Sequence, residues 1–181
     1  DYLKEETVWQ GALNYDDGEV IMESSSDTMK SGGSTNLAYT TGSCIYSFDC
    51  KVNTGDYAMI AFAKYIDMAP YSSANTGYSI CVKSDITELQ LSTGTSHSVV
   101  ASIDKTFAND GEYHRVEFGF VDIGIGNLVV VYVDGESWME YLDIFDTAVN
   151  SGCELSLFTR KMSGDLIVIR PCENVSTEQE Y

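Results

Sequence analysis

The sequence predicts an all-β protein, a two-sheet antiparallel β-sandwich, on three observations. Apolar residues recur with a period of two, and no stretch repeats with the helical period of 3.6. Turn signals break the chain at short intervals: Asp17-Gly18, Asn53-Thr54-Gly55, Ser92-Thr93-Gly94, Asp110-Gly111 and Asp134-Gly135. The composition has 12 Tyr, 7 Phe and 15 Gly but only 2 Pro, and aromatic side chains suit a pleated, half-buried surface. A parallel α/β fold would need helices of roughly 10–15 residues between strands, and none is expected.

Taken in order, alternation places strands at residues 7–13, 19–24, 37–40, 43–53, 57–65, 78–83, 87–91, 98–103, 113–121, 127–134, 137–141, 153–159 and 166–170. The first two flank Asp17-Gly18, and 43–53 runs into Asn53-Thr54-Gly55. Strands 87–91 and 98–103 flank Ser92-Thr93-Gly94. Strands 127–134 and 137–141 flank Asp134-Gly135, a tight hairpin because glycine accepts positive φ there. Strand 43–53 shows the pattern best. Cys44, Tyr46, Phe48, Cys50 and Val52 share one face, while Ile45, Ser47, Asp49 and Lys51 share the other. One face is core and the other wet, as in an antiparallel sandwich.

Five cysteines (44, 50, 81, 153, 172) leave at least one unpaired. Cys44 and Cys50 lie about 20 Å apart along one strand, too far for a disulfide, which needs Cα atoms within about 7 Å. No zinc-type spacing occurs, so the thiols read as small buried hydrophobes.

The net charge is −18, from 28 acidic and 10 basic residues. A field of that sign repels phosphate backbones and anionic membranes, so neither nucleic acid nor membrane insertion is expected. No apolar run approaches the roughly 20 residues of a membrane span. The chain starts at Asp1 and reads as a mature segment, or as a module excised from a larger secreted or cell-surface protein with neighbouring domains. Residues 1–172 are expected to form one monomeric sandwich domain and 173–181 a polar acidic tail or linker, with an Asn174-Val175-Ser176 sequon.

The stretch Glu112-Tyr113-His114-Arg115-Val116-Glu117-Phe118, followed by Leu128-Val129-Val130-Val131-Tyr132-Val133-Asp134-Gly135, is the most informative. With Cys153–Leu157 and Gly164–Ile169 it resembles the concanavalin A-like superfamily, which includes laminin G-like domains. The resemblance covers about residues 112–170 and implies a jelly roll. Members include lectin-like modules and endoglycanases. The large β-glucanase family carries Glu-x-Asp-x-Glu on one strand, a string this sequence lacks.

Glu140, Asp143 and Asp146 are the nearest carboxylates to such a pattern. A glycosidase pair must share a surface at roughly 5 or 6.5–9.5 Å; on a strand, Asp143 points away from the other two, and a solvated loop is expected there. His97 and His114 are the available bases, but no Gly-x-Ser-x-Gly elbow accompanies them. His114 shares a face with Val116, Phe118 and Phe120 and reads as a core histidine. Gly124-Ile125-Gly126 reads as a hairpin tip.

Aromatic faces stack on sugar rings, and planar polar groups take hydroxyls. Such groups gather on the expected outer face, with Tyr113, Arg115, Glu117 and Tyr132, joined by Trp138 from the next strand. The connection 65–78 adds Tyr71 and Tyr78 as loop partners. Arg160 and Lys161 form a basic pair in an acidic chain. Structural calcium would fall to Asp16, Asp17, Glu23 and Asp165, because the resemblance implies a link between the first strands and the last. The expectation is a non-catalytic carbohydrate-binding module that takes a polysaccharide on exposed aromatics. The rivals are a protein-binding adhesion or scaffold domain and a glycoside hydrolase or lyase with an unfamiliar site.

Overall fold

A computed structural model describes residues 9–11, 14–16, 19–23, 30–35, 43–64, 76–93, 96–144, 154–159 and 166–171. Its strands are β1 (Trp9–Gly11), β2 (Asn14–Asp16), β3 (Glu19–Glu23), β4 (Lys30–Thr35), β5 (Cys44–Asn53), β6 (Ala58–Lys64), β7 (Thr76–Val82), β8 (Thr87–Thr93), β9 (Ser96–Ile103), β10 (His114–Asp122), β11 (Asn127–Val133), β12 (Glu136–Asp143), β13 (Glu154–Thr159) and β14 (Leu166–Pro171). Among the described residues there is no helix.

Two antiparallel sheets result. The first runs β1-β4-β13-β6-β7-β8-β9 and the second β12-β11-β10-β5-β14-β3-β2. The sandwich is the one that period-two alternation predicts. In β5, residues 46, 48, 50 and 52 are buried and residues 45, 47, 49 and 51 are not. The buried set meets Val116, Phe118 and Phe120 of β10, Val129, Val131 and Val133 of β11, and Ile60, Ile80 and Leu89 from the opposing sheet. Cys50 is a free, buried thiol, so it makes no disulfide with Cys44.

The two outer faces differ. Tyr57, Met59, Ala61 and Cys81 form a second buried cluster on the outside of the first sheet. The second sheet instead turns charged side chains outward, among them the exposed Arg115 and Arg170.

The β11–β12 hairpin closes on Asp134 (φ 52°) and Gly135 (φ 78°), the positive-φ pair of a two-residue turn. The β10–β11 tip is tighter. Gly126 has φ 153°, and a Cβ there would lie 2.8 Å from the Ile144 Cα.

Four expectations about elements change. β2 and β4 form where no alternation was read; β4 is Lys-Ser-Gly-Gly-Ser-Thr, held by backbone pairing to β1 and β13 rather than by an apolar pattern. β12 continues to Asp143, because its register with β11 runs on to Asn127↔Asp143. Glu140 and Asp143 therefore sit on a strand, exposed and buried respectively. β7 begins at Thr76, two residues before the expected strand 78–83, so Tyr78, counted also among the loop partners, lies inside the sheet. The expected strand 37–40, the loop residues 65–75, Asp146, Arg160, Lys161 and the tail 173–181 lie outside the described residues.

Candidate functional site

The exposed face of the second sheet is built by register. Arg115 of β10 lies opposite Asp49 of β5, and Asp49 opposite Arg170 of β14. Arg170 reaches Glu19 of the next strand, β3. A row of alternating charge thus crosses four strands. Its contacts are short: Arg115 Nε donates to Asp49 Oδ1 at 2.6 Å, and Arg170 Nη2 to Glu19 Oε1 at 2.5 Å.

Tyr113, one residue before β10, lies over this row. Its hydroxyl donates to Glu19 Oε1 at 2.6 Å. The Arg170 guanidinium carbon is 4.1 Å from the ring centroid and Lys51 Nζ 4.7 Å from it. Burial, then the bond to Glu19, pushes the Tyr113 phenol up to about 12. The Tyr113 hydroxyl, and behind it Arg170, holds the Glu19 carboxyl below its ordinary value against partial burial. The phenol therefore stays a donor and the carboxylate an acceptor at neutral pH. Exposed ion pairs contribute only about 0–1 kcal/mol each, so the row fixes geometry more than it stabilises the fold.

A second row lies beside the first. Glu117 is opposite Tyr132 on one side and Ser47 on the other. Tyr113, Arg115 and Tyr132 thus share one face, none of them fully buried. The arrangement offers half-buried aromatic rings beside planar donors and carboxylate acceptors, groups able to meet a polyhydroxylated ligand.

Two other sequence candidates are elsewhere. Tyr78 is 1% exposed, and its hydroxyl donates to the buried Asp143 Oδ2 at 2.8 Å. Its ring is core and unavailable for stacking, because β7 alternation turns it inward. Trp138 sits in β12 next to Ser137, which pairs with Tyr132, so alternation from the hairpin already puts it on the Val131 side, toward the interior, beside the register shift at Val131/Tyr132. There it packs 6.0 Å from Phe107, with Lys105 Nζ 5.9 Å from its ring. Tyr71 lies outside the described residues.

The calcium set does not fit one ion. Asp16 pairs opposite Glu19 at one end of β3, and Glu23 is at the other end, four residues or roughly 13 Å away. Asp17 and Asp165 lie outside the described residues, and among those described no cluster of three metal-type ligands occurs.

The histidines make defined contacts. His114 is half-buried and bridges Asp134 (Nδ1 to Oδ2, 2.7 Å) and Asp110 (Nε2 to Oδ2, 2.9 Å). It is a structural bridge between the β11–β12 turn and the loop before β10, where an apolar-face histidine was expected. Ser92 Oγ lies 2.8 Å from His97 Nδ1. A catalytic serine gives its proton to Nε2; here that nitrogen is buried, so the pair has the wrong orientation for a triad.

Glu19, Asp49, Lys51 and Arg170 were not read as site residues. Asp49 and Lys51 were legible as the wet face of one strand. Glu19 and Arg170 are 151 positions apart and meet only through β14–β3 pairing.

No family model and no curated protein matches the sequence. Solved structures do match in shape. The carbohydrate recognition domain of Emp47p superposes with a TM-score of 0.72 at 14% identity, covering 92% of this chain and 87% of that one. The carbohydrate-binding module CBM66 from Bacillus subtilis gives 0.63 at 15% identity, covering 91% and 92%. A prokaryotic β-1,3-1,4-glucanase (lichenase) derived from a mouse hindgut metagenome gives 0.61 at 13% identity, covering 93% and 95%. The chain has the concanavalin A-like jelly-roll fold. At these identities the likeness shows the fold and not the ligand. The jelly roll is shared here by binding domains and an enzyme, so activity must be argued from the site.

Proposed function

We propose that this chain is a non-catalytic carbohydrate-binding domain of a larger secreted or cell-surface protein. It takes a polysaccharide on the exposed face of the second sheet, through Tyr113, Arg115 and Tyr132. The observation that carries this reading is the fixed Tyr113 ring, anchored on Glu19 and flanked by Lys51 and Arg170, beside the Arg115–Asp49 pair. A ring held before the ligand arrives lowers the ordering cost of binding. Carbohydrate recognition by Emp47p and CBM66, on the same fold, supports the ligand class. The affinity is expected in the micromolar to millimolar range, roughly 4–8 kcal/mol.

The placement of two carboxylates supports the non-catalytic part: a glycosidase pair must share one surface, whereas Glu140 is exposed and Asp143 buried on β12.

Retardation in gels containing single polysaccharides, preceded by a glycan array, tests the proposal. Tyr113→Ala, Arg115→Ala and Tyr132→Ala should each weaken retention at least threefold with unfolding midpoints close to wild type. Full retention by all three variants would remove this face as the site. Release of reducing ends by the wild type would replace binding with hydrolysis.

A further inference from the structure

The outward residues of the second sheet form successive rows, and their chemistry changes along the strands. Arg115, Asp49, Arg170 and Glu19 make the ionic row beneath Tyr113. Tyr132, Glu117 and Ser47 make the next. Beyond it come Glu140, Val130, Gly119 and Ile45, and beyond those Leu142, Leu128 and Val121. Ile45 is 45% exposed and Leu142 39%. The β10–β11 tip closes this end with the exposed Ile123 and Ile125, and the exposed Ile144 backs onto it at Gly126. One face therefore runs from ionic and aromatic groups to aliphatic ones. Tyr132 and Leu128 are four residues, or about 13 Å, apart on β11. Contiguous exposed apolar surface marks an interaction site, and here it is continuous with the Tyr113 face.

The chemistry of the aliphatic row selects its occupant. Leu142, Leu128 and Val121 carry no hydrogen-bonding side-chain atom, and β11 is paired on both sides at Leu128. A sugar ring buried there would lose water from its hydroxyls without gaining a protein partner. An extended polypeptide laid there would lose it from its main chain. A hydrocarbon chain has no polar group to strand. A second copy would press its own acids against Glu117 and Glu140 on two chains of charge −18. Those two carboxylates stand between the polar and the aliphatic ends, with Ser137 Oγ donating to Glu140 Oε1 at 3.2 Å. They are acceptors for hydroxyls next to the hydrocarbon.

We propose that the ligand of this face is a glycan that bears an aliphatic chain. Its sugars lie on Tyr113, Arg115 and Tyr132, and its alkyl or acyl chain runs over Leu128, Leu142 and Ile45 toward the Ile123–Ile125 tip. This rests on the carbohydrate reading of the Tyr113 face and adds the class of glycan to it.

Calorimetric titration with methyl, hexyl and octyl glycosides of glucose, galactose and mannose, each below its micelle-forming concentration, tests the proposal. Octyl tetraethylene glycol is the sugar-free control. For at least one sugar the octyl glycoside should bind at least tenfold more tightly than the methyl glycoside, the gain from burying about two methylenes. Leu142→Asp and Ile45→Asp should each remove that gain and leave thermal unfolding, methyl-glycoside binding and polysaccharide retardation unchanged. Tyr113→Ala should weaken methyl and octyl glycosides alike. Equal binding of methyl and octyl glycosides beside intact polysaccharide retardation would overturn this proposal and leave the carbohydrate reading standing. Octyl tetraethylene glycol binding as tightly as every octyl glycoside, with no polysaccharide retained, would overturn both. A chain-length gain indifferent to both substitutions would also overturn the proposal. So would a wild-type dimer in sedimentation that Leu142→Asp dissolves, or flotation with phosphatidylcholine vesicles that contain no glycolipid.

Discussion

Replacing Tyr78 by Phe removes one atom at a defined place. The Tyr78 hydroxyl of β7 donates to Asp143 Oδ2 of β12 at 2.8 Å, and the two residues are 1% and 4% exposed. The bond is short, charge-assisted and joins the two sheets across the core. A hydrogen bond to a charged group contributes about 1.5–3 kcal/mol, and its loss leaves a buried carboxylate one donor short. The Phe ring keeps the apolar contacts, including the Tyr141 ring at 6.0 Å, so little cavity term adds. We expect a loss of about 2–3 kcal/mol, which lowers Tm by roughly 4–10 °C for a chain of this size. Asp143→Asn retains an acceptor and should cost about half as much. Urea unfolding followed by circular dichroism, with unchanged m, measures both. A double-mutant cycle should return a coupling of about 1–2 kcal/mol. A Tyr78→Phe loss under about 0.5 kcal/mol, or zero coupling, would refute the view that this contact ties the sheets together.

Other outcomes follow from single contacts. Burial opposes charge on His114, but Asp134 and Asp110 outweigh it and hold its pKa above the ordinary histidine value. The contribution is complete below the unfolded value of about 6.5 and is lost as pH rises through the folded pKa. Denaturation midpoints of the wild type should therefore fall over that interval, and His114→Gln should flatten the slope. Asp110 and Asp134, both lowered, lose their share as pH falls through their folded values. Trp138→Ala, which strips a half-buried indole from Phe107, should destabilise by about 2 kcal/mol in urea and leave polysaccharide retention unchanged. Gly126→Ala combines positive φ with a clash against the Asp143–Ile144 backbone, and thermal melts should show a loss above about 2 kcal/mol.

Legibility in the sequence followed the range of the interaction. Inward and outward positions of β5 and β10 were readable because alternation is a local property of an extended chain. The Asp134-Gly135 hairpin was readable because only certain residues tolerate its dihedrals. Tyr113, Arg115 and Tyr132 were correctly read as sharing a face, since β10 and β11 are joined by a short hairpin. Trp138 was misplaced because the Asp134-Gly135 hairpin pairs Ser137 with Tyr132, which puts the next residue on the opposite, inward face. Tyr78 was misplaced because it was counted with the loop before it, although it opens strand 78–83 on the inward face that it shares with Ile80 and Val82.

By itself, then, the sequence determined a chain of short antiparallel strands, which side of most of them is apolar, and where several hairpins close. Tertiary structure alone decided which strands became neighbours. Tyr113 meets Glu19 across 94 positions, Arg170 meets Glu19 across 151, and Tyr78 meets Asp143 across 65. Alternation states that a residue faces the core or the solvent but not which residue it faces. Partners across and between sheets are chosen by packing the whole chain into one sandwich, where one register buries the inward apolar faces of both sheets at once.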